Sequence, residues 1–182
     1  MKYIVKNIND IDKSELDHFF KDIYELKRNR IKKDNYPSIY AEYLLSELLR
    51  EEKINYRLIE VEENEYGKPY IKNHDIYYSI SHSGDYVLVG IHNTPIGVDI
   101  QQIKDNKPNP KVISKDELKY NYMDIFSLKE SYIKCIGSTM NHLKDVTLNL
   151  DGKTITSNQP GYEFLRFKSI PGYVMSICMK RK

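Results

Sequence analysis

The sequence predicts an α+β protein built of two similar lobes, residues 1–95 and 96–182. Each half opens on an alternating apolar–polar stretch, passes through segments with helical spacing and closes on further alternating stretches. Tyr86-Val87-Leu88-Val89-Gly90-Ile91, near the end of the first half, is echoed by Tyr173-Val174-Met175-Ser176-Ile177-Cys178 near the end of the second. The 182 residues also suffice for one large domain or two small ones that share a core.

In the first half, Lys2 to Lys6 alternate and predict a short strand. Ser14 has the place of a helix N-cap, and Leu16, Phe19, Phe20 and Ile23 follow at the spacing of one buried helical face. A basic cluster, Lys27, Arg28, Arg30, Lys32 and Lys33, leads to Pro37. Tyr40, Leu44 and Leu48, four residues apart, predict a second helix over 38–51. Strands are expected over 56–61, near Tyr70, over 76–81 and over 86–92, with turn chemistry at Gly67-Lys68-Pro69 and Ser83-Gly84-Asp85.

In the second half, 96–101 reads as a strand, and Asn106-Lys107-Pro108-Asn109-Pro110 must be a loop. Ser114 and Glu117 have capping-box spacing and predict a helix there. Another helix is expected over 124–135, ending at Gly137. Three strands complete the chain, near 146–150, over 162–168 and over 173–179.

Composition narrows the function. Apolar residues at 40% and charged residues at 30% are those of a soluble globular protein, and a net charge of +2 is too small to imply a nucleic-acid binder. The only cysteines, Cys135 and Cys178, lie outside any CxxC or Cys/His pattern, so neither a disulfide scaffold nor a zinc site is expected and a reducing cytoplasm fits. The first twelve residues lack the apolar run of a signal peptide, and no stretch approaches the roughly 20 apolar residues of a membrane span.

Four segments carry candidate chemistry. In Gly97-Val98-Asp99-Ile100-Gln101 an aspartate interrupts an apolar strand, where its charge needs a partner or a cation, and Gly97 permits close approach of another group. The alternative is a satisfied structural aspartate. In Phe126-Ser127-Leu128-Lys129-Glu130-Ser131-Tyr132-Ile133-Lys134, Glu130 and Lys134 share a helix face with Phe126, Ile133 and Gly137, so carboxylate and ammonium lie on a partly apolar stripe. An ordinary helix salt bridge is the simpler account of that pair. Ser79-Ile80-Ser81-His82-Ser83-Gly84 can aim several donors at one anion, or be a polar hairpin turn. Glu65-Tyr66-Gly67-Lys68-Pro69-Tyr70 holds a lysine on a rigid turn, or is simply exposed.

In this order and spacing the four segments resemble the 4′-phosphopantetheinyl transferases of the surfactin-synthetase-activating (Sfp) type. That family shows a G-K-P turn, S-x-S-H-S, (I/V)-G-(I/V)-D-(I/V) and (W/F)-(S/C/T)-x-K-E-(S/A)-x-x-K, and all four appear between Glu65 and Lys134. The rest of the chain resembles the family in order and pattern. The resemblance implies a monomeric, pseudo-two-fold fold with the active site between the lobes. It implies Mg²⁺ held by Asp99 and Glu130, coenzyme A as substrate and an acyl or peptidyl carrier protein as acceptor. Glu130 would also take the acceptor proton, Lys129 and Lys134 would face the pyrophosphate, and Lys68, Ser81 and His82 would hold the 3′-phosphate. The basic cluster Lys27 to Lys33, Lys32 and Lys33 among its members, would add charge near the nucleotide, and Glu117 is a further candidate.

Two positions depart from the pattern. Gln101 stands where the family often has a second metal-binding carboxylate, and Pro37 stands where it often has an arginine on the 3′-phosphate. The resemblance then implies Lys32 or Lys33 in the place of that arginine. A nucleotide-binding module would explain the lysines without Asp99, Glu130 and Lys134. A metal-dependent phosphohydrolase would use the same carboxylates without a carrier.

Overall fold

The computed structural model describes residues 1–27, 35–104 and 107–182. The first half contains β1 (Lys2–Asn7), α1 (Lys13–Lys27), α2 (Tyr36–Glu51), β2 (Val61–Glu63), β3 (Pro69–Ile71), β4 (Tyr77–Ser83) and β5 (Tyr86–His92). The second contains β6 (Ile96–Gln102), α3 (Tyr122–Ile136), β7 (Leu148–Asp151), β8 (Thr154–Ser157), β9 (Tyr162–Phe167) and β10 (Tyr173–Lys180). Two antiparallel sheets organise them, ordered β1-β5-β4 and β6-β10-β9. In each, the first strand of its half pairs with the last. The echoed segments are the two central strands, β5 and β10. Among the described residues no helix is long and apolar enough to cross a membrane.

The helical cover differs between the halves. Leu16, Ile23, Leu45 and Leu49 of α1 and α2 pack on Val87, Val89 and Ile91 of β5. On the second sheet α3 lies across β6 and β10, with Leu128, Ile133 and Cys135 packed against Phe164 and Cys178. A third apolar cluster joins the halves, placing Leu88 of β5 among Ile96, Val98, Ile100, Met175 and Ile177.

Where the chain leaves the expected elements, a local side chain intervenes. Residues 56–58 form a 3₁₀ turn rather than a strand, because the Asn55 side chain accepts from Arg57 N and starts a turn. Ser114 N donates to Glu117 Oε2 at 2.8 Å, as capping-box spacing requires, yet only a 3₁₀ turn forms. Glu117 Oε1 also accepts Leu148 N at 2.9 Å, which holds the segment against β7. The last strands number four, because β8 returns on β7 as a short hairpin.

The sheets meet where β4 runs beside β6. The backbone N–H groups of Val98, Ile100 and Gln102 donate to Ser79, Ser81 and Ser83 Oγ at 3.0, 3.2 and 3.0 Å. Alternate serines on one strand thus satisfy alternate amides on the other, joining two sheets through side chains.

Candidate active site

Gly97 and Asp99 share one face of β6, the face that α3 covers. A Cβ on Gly97 would stand 1.9 Å from Ser131 O and 2.3 Å from Cys135 N, so glycine is what lets the α3 backbone rest directly on the strand. That contact brings Lys134 over Asp99, which is 0% exposed. Lys134 Nζ lies 2.7 Å from Asp99 Oδ1 and 2.8 Å from Ser81 Oγ. Ser81 in turn donates to Asp99 Oδ1 at 3.0 Å, and the Gln101 amide donates to Asp99 Oδ2 at 3.2 Å. The buried carboxylate is therefore held by one cation, one hydroxyl and one amide.

Glu130 sits one turn before Lys134 on α3, half-buried. Burial, and then the negative charge of Asp99, push its carboxyl up to about 7 against the opposing pull of Lys134. Among the described residues no group of three or more His, Cys, Asp or Glu side chains could hold a metal. The donor set available is two carboxylates. Of the common metals, such a donor set would suit only a hard divalent ion that keeps several waters, and Gln101 stands in the cluster as a neutral neighbour.

A pocket of about 240 Å³ opens beside Lys134, lined also by Tyr66, Gly67, Lys68, Tyr78 and Ser138. A larger groove of about 440 Å³ lies on the first half around Phe19, Glu47, Arg50 and Lys53. There Arg50 engages Glu47 at 2.6 Å, and neither Asp99 nor Glu130 lines it.

Asp99, Glu130, Lys134, Gln101 and Ser81 come together as one cluster. The remaining candidates are placed as follows. Lys68 Nζ donates to Ile96 O at 3.2 Å and Cys135 O at 3.1 Å, and burial lowers its pKa. Ser81 accepts from Lys134 and Ile100 N and donates to Asp99, so its hydroxyl is committed within the protein. His82 is exposed at the β4–β5 turn.

Lys129 is engaged within the protein. Its ammonium meets Glu117 Oε2 at 2.8 Å and Val112 O at 2.9 Å, with the two side chains 1% and 0% exposed. Burial opposes the charge on Glu117, but hydrogen bonds from Lys129, Ser114 and Leu148 outweigh it and hold its pKa below the usual value. Lys129 and Glu117 are thus a buried structural pair that clamps residues 112–117 to α3. Lys32 and Lys33 lie outside the described residues.

No family model matches the chain. Curated relatives do. A 4′-phosphopantetheinyl transferase, gsp, of Aneurinibacillus migulanus is 34% identical over 122 residues, covering 59% of this chain and 51% of the relative. The transferase ffp of Bacillus subtilis is 28% identical over 172 residues, 82% of this chain and 76% of its own length. Sfp of Bacillus subtilis strain 168 is 28% identical over 169 residues, 81% and 75%. This chain is related to the 4′-phosphopantetheinyl transferases. The matched stretch spans about half the length of the first of these relatives and about three quarters of the other two. Against that transferase pattern, the features the sequence did not reveal are the ladder role of Ser79 and Ser83 and the contact of Asn64 and Lys68 with the end of α3. The alternate spacing of the serines was the available signal for the first. The second depends on residues roughly 70 positions apart and leaves no local pattern.

Proposed function

We propose that this protein transfers the 4′-phosphopantetheine arm of coenzyme A to a serine of an apo acyl or peptidyl carrier protein, releasing 3′,5′-ADP, in a magnesium-dependent reaction. The observation that carries the proposal is the juxtaposition of Asp99, Glu130 and Lys134 beside a pocket with two lysines in its walls. Phosphoryl transfer needs alignment and charge neutralisation more than covalent help, and these groups supply both.

Asp99 and Glu130 would hold Mg²⁺, which supplies positive charge for the pyrophosphate oxygens when bound. Lys134 turns from Asp99 toward the pyrophosphate and steadies the leaving phosphate. Glu130, with a carboxyl poised near neutrality, takes the proton of the carrier serine as its oxygen forms the new bond to phosphorus. The old P–O bond breaks, and its electron pair leaves with 3′,5′-ADP.

In this reading residues 1–95 and 96–182 are two lobes of approximate two-fold relation, and one copy of the chain supplies the whole site. The shared strand order of the two sheets supports it. So do the free, buried thiols of Cys135 and Cys178 for a cytoplasmic protein. The deciding experiment incubates the protein with coenzyme A, magnesium and an apo carrier. A carrier mass increased by one phosphopantetheine supports the reading, and hydrolysis of coenzyme A with an unmodified carrier overturns it.

A further inference from the structure

The pocket beside Lys134 has walls from both halves of the molecule. Lys68 and Tyr78 come from the first half, Lys134 and Gly137 from the end of α3. The turn between β2 and β3, residues 64–68, leans on that helix end. Asn64 opens the turn and lies behind the pocket wall rather than in it. Its Oδ1 accepts from Tyr66 N at 3.0 Å and Lys68 N at 2.9 Å, which closes the turn. Its Nδ2 donates to Gly137 O at 2.7 Å. Backbone partners alone fix this orientation, because a reversed amide would set oxygen against a carbonyl and nitrogen against two N–H groups.

Gly137 ends α3 at φ +66°, and a Cβ there would stand 2.6 Å from Asn64 Nδ2 and 3.0 Å from Lys68 Cδ, so the turn reaches the helix end only because residue 137 is glycine. Lys68 crosses the same gap, donating to Cys135 O at 3.1 Å and Ile96 O at 3.2 Å. Lys68 also lines the pocket, so an entering anion competes for its ammonium. The Asn64 bond is neutral and set back, and it persists when a lysine turns to a ligand. With one lysine in each wall, a neutral bridge holds the walls at a fixed separation before any phosphate arrives to offset their charge.

We infer that Asn64 is a positioning residue of this site: by joining the 64–68 turn to Gly137 it sets the separation of the pocket walls, and with it the place of Lys134 and Glu130. This rests on the transferase reading. Lys134 and Glu130 lie within the last two turns of α3 before Gly137, on a rigid helix that carries a shift of its end to both. Alignment is what phosphoryl transfer demands most, and a misplacement of about 1 Å can cost about 100-fold in rate. Asn64 acts through these residues and touches no substrate itself, so its loss removes placement without removing a ligand contact.

The test compares wild type with Asn64→Ser and Asn64→Ala, well below the melting temperature of each. Serine keeps a hydroxyl that can close the turn but is too short to reach Gly137 O, and alanine loses both functions. Positioning predicts that both variants bind coenzyme A about 5- to 10-fold more weakly and lower kcat for carrier modification about 10- to 100-fold, with the KM for carrier within about twofold of wild type. A merely structural asparagine lowers the melting temperature and leaves the folded variants with wild-type affinity and kcat, which overturns the proposal. So does an Asn64→Ser that matches wild type while Asn64→Ala does not, because the turn and not its bond to Gly137 would then be what matters. A wild type that binds coenzyme A yet never modifies a carrier overturns the transferase reading, and the three affinities still decide the role of Asn64. A wild type that binds no coenzyme A overturns both.

Discussion

Lys134 Nζ stands 2.7 Å from Asp99 Oδ1, an ammonium from α3 closed on a carboxylate of β6 that no solvent reaches. The ammonium is the cation that answers this buried carboxylate. In the proposed reaction the same side chain would have to release Asp99 before serving a substrate phosphate.

From that exchange a coupling follows. Magnesium alone raises the melting temperature little, because it must displace Lys134. With coenzyme A present the lysine has a phosphate to turn to, and the two ligands together stabilise by more than the sum of each alone. Lys134→Met leaves Asp99 buried without a cation and costs about 3 kcal/mol, and magnesium alone now restores part of it. Thermal unfolding of both proteins with each ligand and with the pair checks this, and simple additivity in the wild type contradicts it.

For Glu130 the pH dependence has a definite sign. Its carboxyl is raised from 4.5 to about 7 in the folded protein, so the fold holds that proton more tightly than the unfolded chain does. The resulting stabilisation is complete below pH 4.5 and is lost as the pH rises through 7. Glu130→Gln should therefore melt higher than wild type at pH 8, with the gap closing below pH 5. Carrier modification should fall about 10²- to 10⁴-fold in the same variant. In the wild type kcat/KM should rise with pH through about 7 at low magnesium, and that limb should move to lower pH as magnesium saturates. A variant that melts lower than wild type at pH 8 contradicts the burial argument.

The serine ladder separates buried from exposed hydrogen bonds. Ser79→Ala leaves Val98 N–H without an acceptor inside the junction and should cost about 1–3 kcal/mol. Ser83→Ala frees Gln102 N–H at the exposed end, where water replaces the hydroxyl, and should cost less than about 0.5 kcal/mol. Urea denaturation of the two variants distinguishes them, and equal losses would show that water reaches both positions alike.

Lys68 is a fastening between the halves in this structure. Lys68→Met should lower stability by about 1–2 kcal/mol through the bare carbonyls of Ile96 and Cys135. It should weaken coenzyme A and dephospho-coenzyme A to the same extent. A loss confined to coenzyme A would place the lysine on the 3′-phosphate instead.

Much of the architecture and part of the site were legible in the sequence because their causes are local. The face of α1 follows from the spacing of Leu16, Phe20 and Ile23, and the C-terminal end of α3 from Gly137. Glu130 and Lys134 share a face because α-helical geometry requires it, and Gly97 two residues before Asp99 announced a close approach that the structure makes through Ser131. Tertiary structure alone decided which polar groups answer one another. Ser81 became a ligand of Asp99 and Ile100 N, Lys68 a cover for the end of α3, and Lys129 the buried partner of Glu117. A hydroxyl or an ammonium can meet an external phosphate or an internal acceptor with the same chemistry. Which it meets is settled by which backbone amides and carbonyls, from residues far along the chain, would otherwise be buried without a partner.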